Sequence, residues 1–171
     1  VLIKHVRASR SNARAKAIEM LDKVKILDPE SRYWSYPFEL SGGMCQRVMI
    51  AIAVACDPRL IIADEPTTGL DVTTQKITMD LIQDLTRSRG MSAILITHDL
   101  GLAAQYCDRI IVMQDGKIVE QAPVRELFNS PSHPYTQKLI AASPGPYSEL
   151  ADLTRIASTK NTPPSKEGIS K

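Results

Sequence analysis

Leu60-Ile61-Ile62-Ala63-Asp64-Glu65-Pro66 is the stretch that decides the fold. Its apolar run is short and continuous, the pattern of a strand buried on both faces. The acids that close it stand at the carboxyl end of that strand, where open parallel sheets collect their ligands. Ala93-Ile94-Leu95-Ile96 predicts a second buried strand, ended by Thr97-His98-Asp99, and residues 109–113 predict a third. Between the first two, residues 72–87 carry Ile77, Leu81, Ile82 and Leu85 at helical spacing before Arg89-Gly90 terminates them. Residues 100–106 supply a shorter helix before the third strand. Strand, helix, strand, helix, strand predicts an α/β fold with a parallel sheet and flanking helices.

Outward from this centre, residues 12–26 place Ala13, Ala17, Ile18, Leu21 and Val24 on one helical face, and Asp28-Pro29-Glu30 ends that helix. A connector with Tyr33, Trp34, Tyr36 and Pro37 leads to Ser41-Gly42-Gly43. Residues 44–56 are apolar almost all round, which predicts a helix buried in a larger body, stopped by Asp57-Pro58. On the other side, Gln114-Asp115-Gly116-Lys117 predicts a hairpin turn into residues 118–120. Residues 124–128 and 135–142 predict two short helices started by prolines. Residues 143–171, rich in Pro, Ser, Thr and Lys, read as a mobile tail.

Composition narrows the classes. The 171 residues hold 21 Lys+Arg against 19 Asp+Glu, a net charge of +2, too even for a dedicated nucleic-acid binder. The longest apolar run, residues 48–56, falls well short of the roughly 20 residues that a spanning helix needs. Val1-Leu2-Ile3-Lys4-His5 has neither an initiator Met nor the layout of a signal peptide and reads as a cut end. Cys45, Cys56 and Cys107 are odd in number and widely separated, which suits reduced thiols. His5, His98 and His133 lack metal-ligand spacing.

Three features carry chemistry. Ser41-Gly42-Gly43 opens a predicted helix, where free backbone N–H groups and the helix dipole attract an anion and glycine permits close approach. Alone, the same three residues are equally an ordinary N-cap with flexible neighbours. Asp64-Glu65 gives one carboxylate for Mg²⁺ and a neighbour for an attacking water. His98 closes the next strand, so parallel pairing would bring it to the same sheet edge, near a terminal phosphate.

Taken together, these residues resemble the ATP-binding-cassette (ABC) ATPase domain. Leu40-Ser41-Gly42-Gly43-Met44-Cys45-Gln46-Arg47 is similar to that family's signature motif, and Leu60-Ile61-Ile62-Ala63-Asp64 to Walker B, followed by Glu65. Thr68-Gly69-Leu70-Asp71 resembles the D-loop, and Thr97-His98-Asp99 the switch-histidine segment. Met44 in place of the usual Gln, the wording of residues 62–68, and His133-Pro134-Tyr135-Thr136 resemble the ATPase subunits of bacterial oligopeptide, dipeptide and nickel importers. The resemblance covers about residues 13–144.

That resemblance implies a partial P-loop NTPase fold. Residues 1–56 would be part of the helical subdomain, 57–122 part of the RecA-like core, 123–144 a C-terminal extension of the peptide-importer type, and 145–171 the tail. It implies ATP and Mg²⁺ as ligands, with Ser41, Gly42, Gly43 and Met44 at the γ-phosphate of a nucleotide held by a partner. Asp64 would serve Mg²⁺, Glu65 the attacking water, His98 the γ-phosphate and water together, and Asp71 the link between two sites. Gln46 and Arg47 would brace the signature helix.

The implied partners are a second ABC ATPase subunit, identical or paralogous, the transmembrane permease subunits and, indirectly, an external substrate-binding protein, with no nucleic acid. The implied location is the cytoplasmic face of the bacterial inner membrane. No Gly-x-x-x-x-Gly-Lys-[Ser/Thr] occurs in the chain; its one Gly-Lys pair, Gly116-Lys117, lies in the predicted hairpin turn. The expectation is therefore a C-terminal portion of such a subunit, inactive alone and exposing apolar sheet surface. A soluble ABC ATPase of repair or chromosome maintenance, or a truncated interaction module, are the competing readings. The absence of heptads and of a second copy, with the His-Pro-Tyr segment, speaks against the first. The missing phosphate loop is what the second would predict.

Overall fold

A computed structural model describes residues 1–5 and 9–143, which fall into two compact units that meet between His98 and Asp99. The expected mobile tail, apart from Ser143, lies outside the described residues. Among the described residues no helix is long and apolar enough to cross a membrane.

The first unit begins with the short helix α1 (Leu2–His5) and α2 (Arg10–Lys23). Ser9 caps α2 by accepting from the Asn12 amide at 3.3 Å, so the helix starts two residues before the sequence expectation. It stops three residues early because Lys25 enters the left-handed region at φ 59°. Ala13 and Met20 are its buried contribution, and Val24 and Ile26 are buried just past its end. Pro29 does more than end this helix: it occupies the first position of a new turn, α3 (Pro29–Arg32), because its missing N–H is no loss there. In the aromatic connector, Pro37–Glu39 form a 3₁₀ turn, and the Glu39 carboxylate accepts from the Tyr36 amide at 2.7 Å.

Helix α4 (Gly42–Val54) is capped by Ser41, whose hydroxyl accepts from the Met44 amide at 3.3 Å. Burial all round does not hold for it. Ile50, Ala51 and Val54 are buried, whereas Met49 is 65% exposed and Ile52 also faces solvent. Its end is tied to two other helices through Asp57. That carboxylate takes Lys16 of α2 at 3.0 Å and Arg89 at 2.7 Å, and Arg89 also caps the Val54 carbonyl at 3.1 Å.

Strand β1 (Leu60–Asp64) pairs in parallel with β2 (Ser92–Ile96), Leu60 opposite Ser92 and Asp64 opposite Ile96. The crossover is α5 (Val72–Arg89), capped by Asp71 and closed by Gly90 at φ 60°. α5 buries Met79, Leu81, Ile82 and Leu85; Ile77, expected on that face, is exposed, and Thr78 is buried in its place. Burial of β1 on both faces is also overturned. Only Ile61 is buried, and Ile62 is 62% exposed, with Ile94 and Ile96 of β2 exposed as well. An apolar face on this two-stranded sheet is thus open, as expected for the isolated chain.

The second unit contains α6 (Leu100–Tyr106), β3 (Arg109–Gln114), β4 (Lys117–Pro123), α7 (Val124–Asn129) and α8 (Pro134–Ala142). The third strand does not extend the parallel sheet: β3 pairs antiparallel with β4 in a sheet of its own. The cause is the turn, where Asp115 and Gly116 take φ 50° and 74°, the two left-handed positions that fold a strand back on itself. Ala103, Ile110, Val112, Ala122 and Leu127 form the core, with Phe128, Tyr135 and Leu139 packed on it.

Candidate functional site

The parallel register builds the site. Because Asp64 faces Ile96, the chain past β1 and the chain past β2 leave the sheet side by side, and the Glu65 amide adds one more ladder bond to the Ile96 carbonyl at 2.9 Å. Glu65 then turns into the left-handed region at φ 46°, a conformation that costs a non-glycine residue about 1–2 kcal/mol and is kept only where neighbours impose it. Its carboxylate is gripped from three directions. His98 Nδ1 lies 2.8 Å from Oε1, the His98 amide donates to the same oxygen at 3.2 Å, and the Thr68 hydroxyl donates to Oε2 at 3.2 Å.

These bonds, led by the His98 side chain, hold the Glu65 carboxyl below its ordinary range. Glu65 is therefore an anion at neutral pH, and an anion can only accept. The proton of the shared bond must then reside on His98 Nδ1, which fixes the imidazole tautomer. Asp64, at the last position of β1, is exposed. Among the described residues no group of three or more His, Cys, Asp and Glu side chains could hold a metal ion. One exposed carboxylate nevertheless fits Mg²⁺, which takes one or two carboxylates and fills its octahedron with water and phosphate oxygens.

Residues 65–71 are held by two glutamines. Gln46 of α4 donates its side-chain amide to the Pro66 carbonyl. Gln75 of α5 donates to the carbonyls of Leu70 at 3.2 Å and Thr67 at 3.4 Å. Asp71 binds both the amide and the hydroxyl of Thr74, at 3.0 and 2.7 Å, and these bonds lower its carboxyl from the ordinary value, the hydroxyl most. Thr74 in turn lies close to the start of α4: a Cβ on Gly43 would come within 3.1 Å of its methyl group, whereas one on Gly42 would meet nothing within 4 Å. Gly43 thus stands near Thr74, the residue that Asp71 binds. Ser41 and Gly42 are exposed, and Met44 contributes the amide that Ser41 binds.

The structure brings Glu65 and His98 into direct contact and sets the Ser41 helix start against the Asp71 turn. The sequence singles out neither Gln75 nor Thr74, and it marks Thr68 only as the first residue of the D-loop motif. Their partners are backbone groups and two carboxylates, those of Glu65 and Asp71, and the one signal is that Thr74 and Gln75 follow Asp71 by three and four residues. In the second unit Glu120 was likewise overlooked. It accepts from the amides of Ser132 and His133 at 2.7 and 3.0 Å. The His-Pro-Tyr segment is thereby pinned to β4, with His133 capping α8.

Residues 1–68 match the family model described as "ABC transporter", and residues 119–169 match "Oligopeptide/dipeptide transporter, C-terminal region". A probable peptide ABC transporter ATP-binding protein of Sinorhizobium fredii, y4tR, is 50% identical over 163 residues, 93% of this chain and 49% of its own length. The dipeptide transport ATP-binding protein DppD of Escherichia coli is 48% identical over 95% of this chain and 49% of its own length. Among solved structures, the ATP-binding cassette MJ0796, captured as a post-hydrolysis dimer bound to ADP and Pi, superposes with a TM-score of 0.58. It is 34% identical over 69% of this chain and 50% of that one. The chain spans about half the length of the curated relatives it matches. By these matches and by the motifs along residues 40–99 and 133–136, the chain belongs to the ABC transporter family and carries its oligopeptide/dipeptide transporter C-terminal region.

Proposed function

We propose that this chain is the signature-bearing and hydrolytic part of an ATPase subunit that powers peptide import across a bacterial membrane. The observation that carries the reading is the His98–Glu65 pair at the open end of the parallel strands, 2.8 Å apart. We read residues 1–56 as part of the helical subdomain, 57–122 as part of the core and 123–144 as the peptide-importer extension. The subunit would act at the cytoplasmic face, against permease subunits, as one of two ATPases.

Hydrolysis needs a water oxygen to attack the γ-phosphorus while the bond to the β–γ bridging oxygen breaks, giving ADP and phosphate. Such transfer depends on positioning and charge stabilisation more than on a strong base. Glu65 suits that demand. A carboxyl held below its ordinary value is a weak proton acceptor, so its main work is to accept a hydrogen bond from the water and aim it. His98, committed to Glu65 through Nδ1, would meet the phosphate through Nε2. Mg²⁺, coordinated by Asp64, would neutralise charge on the phosphate oxygens. The amides and hydroxyl at the start of α4 would face the γ-phosphate of the partner's nucleotide, with Asp71 at the seam.

The test is made in a completed subunit, in which the phosphate-binding half of a curated relative precedes residues 1–171. His98→Ala should lower kcat about thirtyfold, less than a positioned general acid or base contributes, because His98 holds and aims its neighbours rather than transferring a proton. It should also move the acid limb of the profile to higher pH. The sign follows from the lowered carboxyl: Glu65 is the working anion above its folded value and loses that state as pH falls through it, and removing His98 raises that value. A His98→Ala profile that overlays wild type in both rate and acid limb would refute the pairing.

A further inference from the structure

We propose that Gln46 is a positioning residue for hydrolysis: by holding the Pro66 carbonyl it keeps Glu65 in the left-handed turn that delivers its carboxylate to His98. The inference rests on the reading of Glu65 above. Within the turn, Glu65 at φ 46° is held by Thr68, whose amide donates to its carbonyl and whose hydroxyl donates to its carboxylate, each at 3.2 Å, and neither bond reaches the Pro66 peptide that follows. Gln75 reaches the far side of the loop, at Thr67 and Leu70, from the helix that follows it directly in sequence. Gln46 instead reaches the residue next to Glu65 from another helix, twenty positions earlier in the chain.

Release of the Pro66 peptide lets the residue before it relax toward the extended region that a pre-proline residue prefers. The carboxylate would then leave His98. Gln46 also lies on the helix that Ser41 caps, and Gly43 of the same helix start leaves no room for a side chain beside the Thr74 methyl group, so the start of α4 lies close to both ends of the Glu65–Thr74 stretch. A displacement at Ser41 therefore has a short mechanical route to Glu65, through one amide.

Three substitutions in the completed subunit separate this from a packing role. Gln46→Met keeps length and volume without the donor, Gln46→Glu offers an acceptor to a carbonyl, and Gln46→Lys restores a donor. Loss of one hydrogen bond that aims a catalytic group predicts a kcat about tenfold lower for Met, with KM for ATP within about twofold. Glu should be slower still, and Lys should recover most of the rate. The acid limb of the Met variant should move to higher pH, as for His98→Ala. A Met variant with wild-type kcat, a defect confined to KM, or a Lys variant no better than Met would overturn the proposal.

The chain itself supplies a readout independent of turnover. Hydrogen exchange at the Thr68 amide should quicken in Gln46→Met at an unchanged thermal midpoint, and unchanged exchange would contradict the proposal. If Glu65→Gln retains turnover, the reading of Glu65 fails while the exchange result still decides the role of Gln46. If Glu65→Gln is inactive and Gln46→Met is fully active, only this inference fails.

Discussion

Glu65→Gln in the completed subunit should reduce ATP turnover by at least about a hundredfold while ATP-held dimers persist. Gln keeps the shape of the side chain, and its carbonyl oxygen can still accept from His98 Nδ1, so the 65–71 turn has no reason to collapse. What disappears is the negative charge that aims the water and can take its proton. Binding of ATP, which depends on the phosphate loop and on the α4 start, involves neither property. The expected signature is thus a dimer that forms with ATP and does not come apart, read by steady-state hydrolysis together with size-exclusion chromatography. Turnover near the wild-type rate would show that another group directs the water.

The second large effect concerns residues 1–171 by themselves. Titrated with ATP at micromolar concentration in a calorimeter, they should give no saturable isotherm, and the apparent affinity should be more than about a hundredfold below that of the completed subunit. Micromolar binding corresponds to about −8 kcal/mol, and in this family the phosphate loop supplies the backbone amides and lysine that account for much of it. The groups in hand are a helix start and two acids, and carboxylates repel triphosphate until a cation intervenes. A clear micromolar isotherm would mean that the chain holds a phosphate cradle of its own.

Much of this architecture is legible in the residues. Strands at 60 and 93 and the helix between them follow from apolar runs and a terminal glycine, and the meeting of His98 with Glu65 follows from parallel neighbours ending together. The hairpin at residues 114–117 is legible too, but the expectation that its first strand joins the parallel sheet fails, because an apolar run specifies a strand and not its partner. Helix α4 and strand β1 were read as fully buried because their sequences are apolar on every side. Such sequences record what they are made to face, and in this chain Met49, Ile52 and Ile62 face solvent. The left-handed turn at Glu65 and the two glutamine anchors left no periodic trace, since a side-chain amide that grips a backbone carbonyl needs no complementary residue.

The most direct measurement is hydrolysis by mixed dimers of the completed subunit that carry Glu65→Gln and Ser41→Arg. With the α4 start serving the partner's nucleotide and Glu65 serving its own, both changes placed in one subunit disable both sites, and turnover should vanish. Divided between the two subunits, they fall on a single site, and about half of the wild-type turnover should remain. Equal activity in the two arrangements, or more in the first than in the second, would contradict the assignment of Ser41 and Glu65 to nucleotides on opposite subunits.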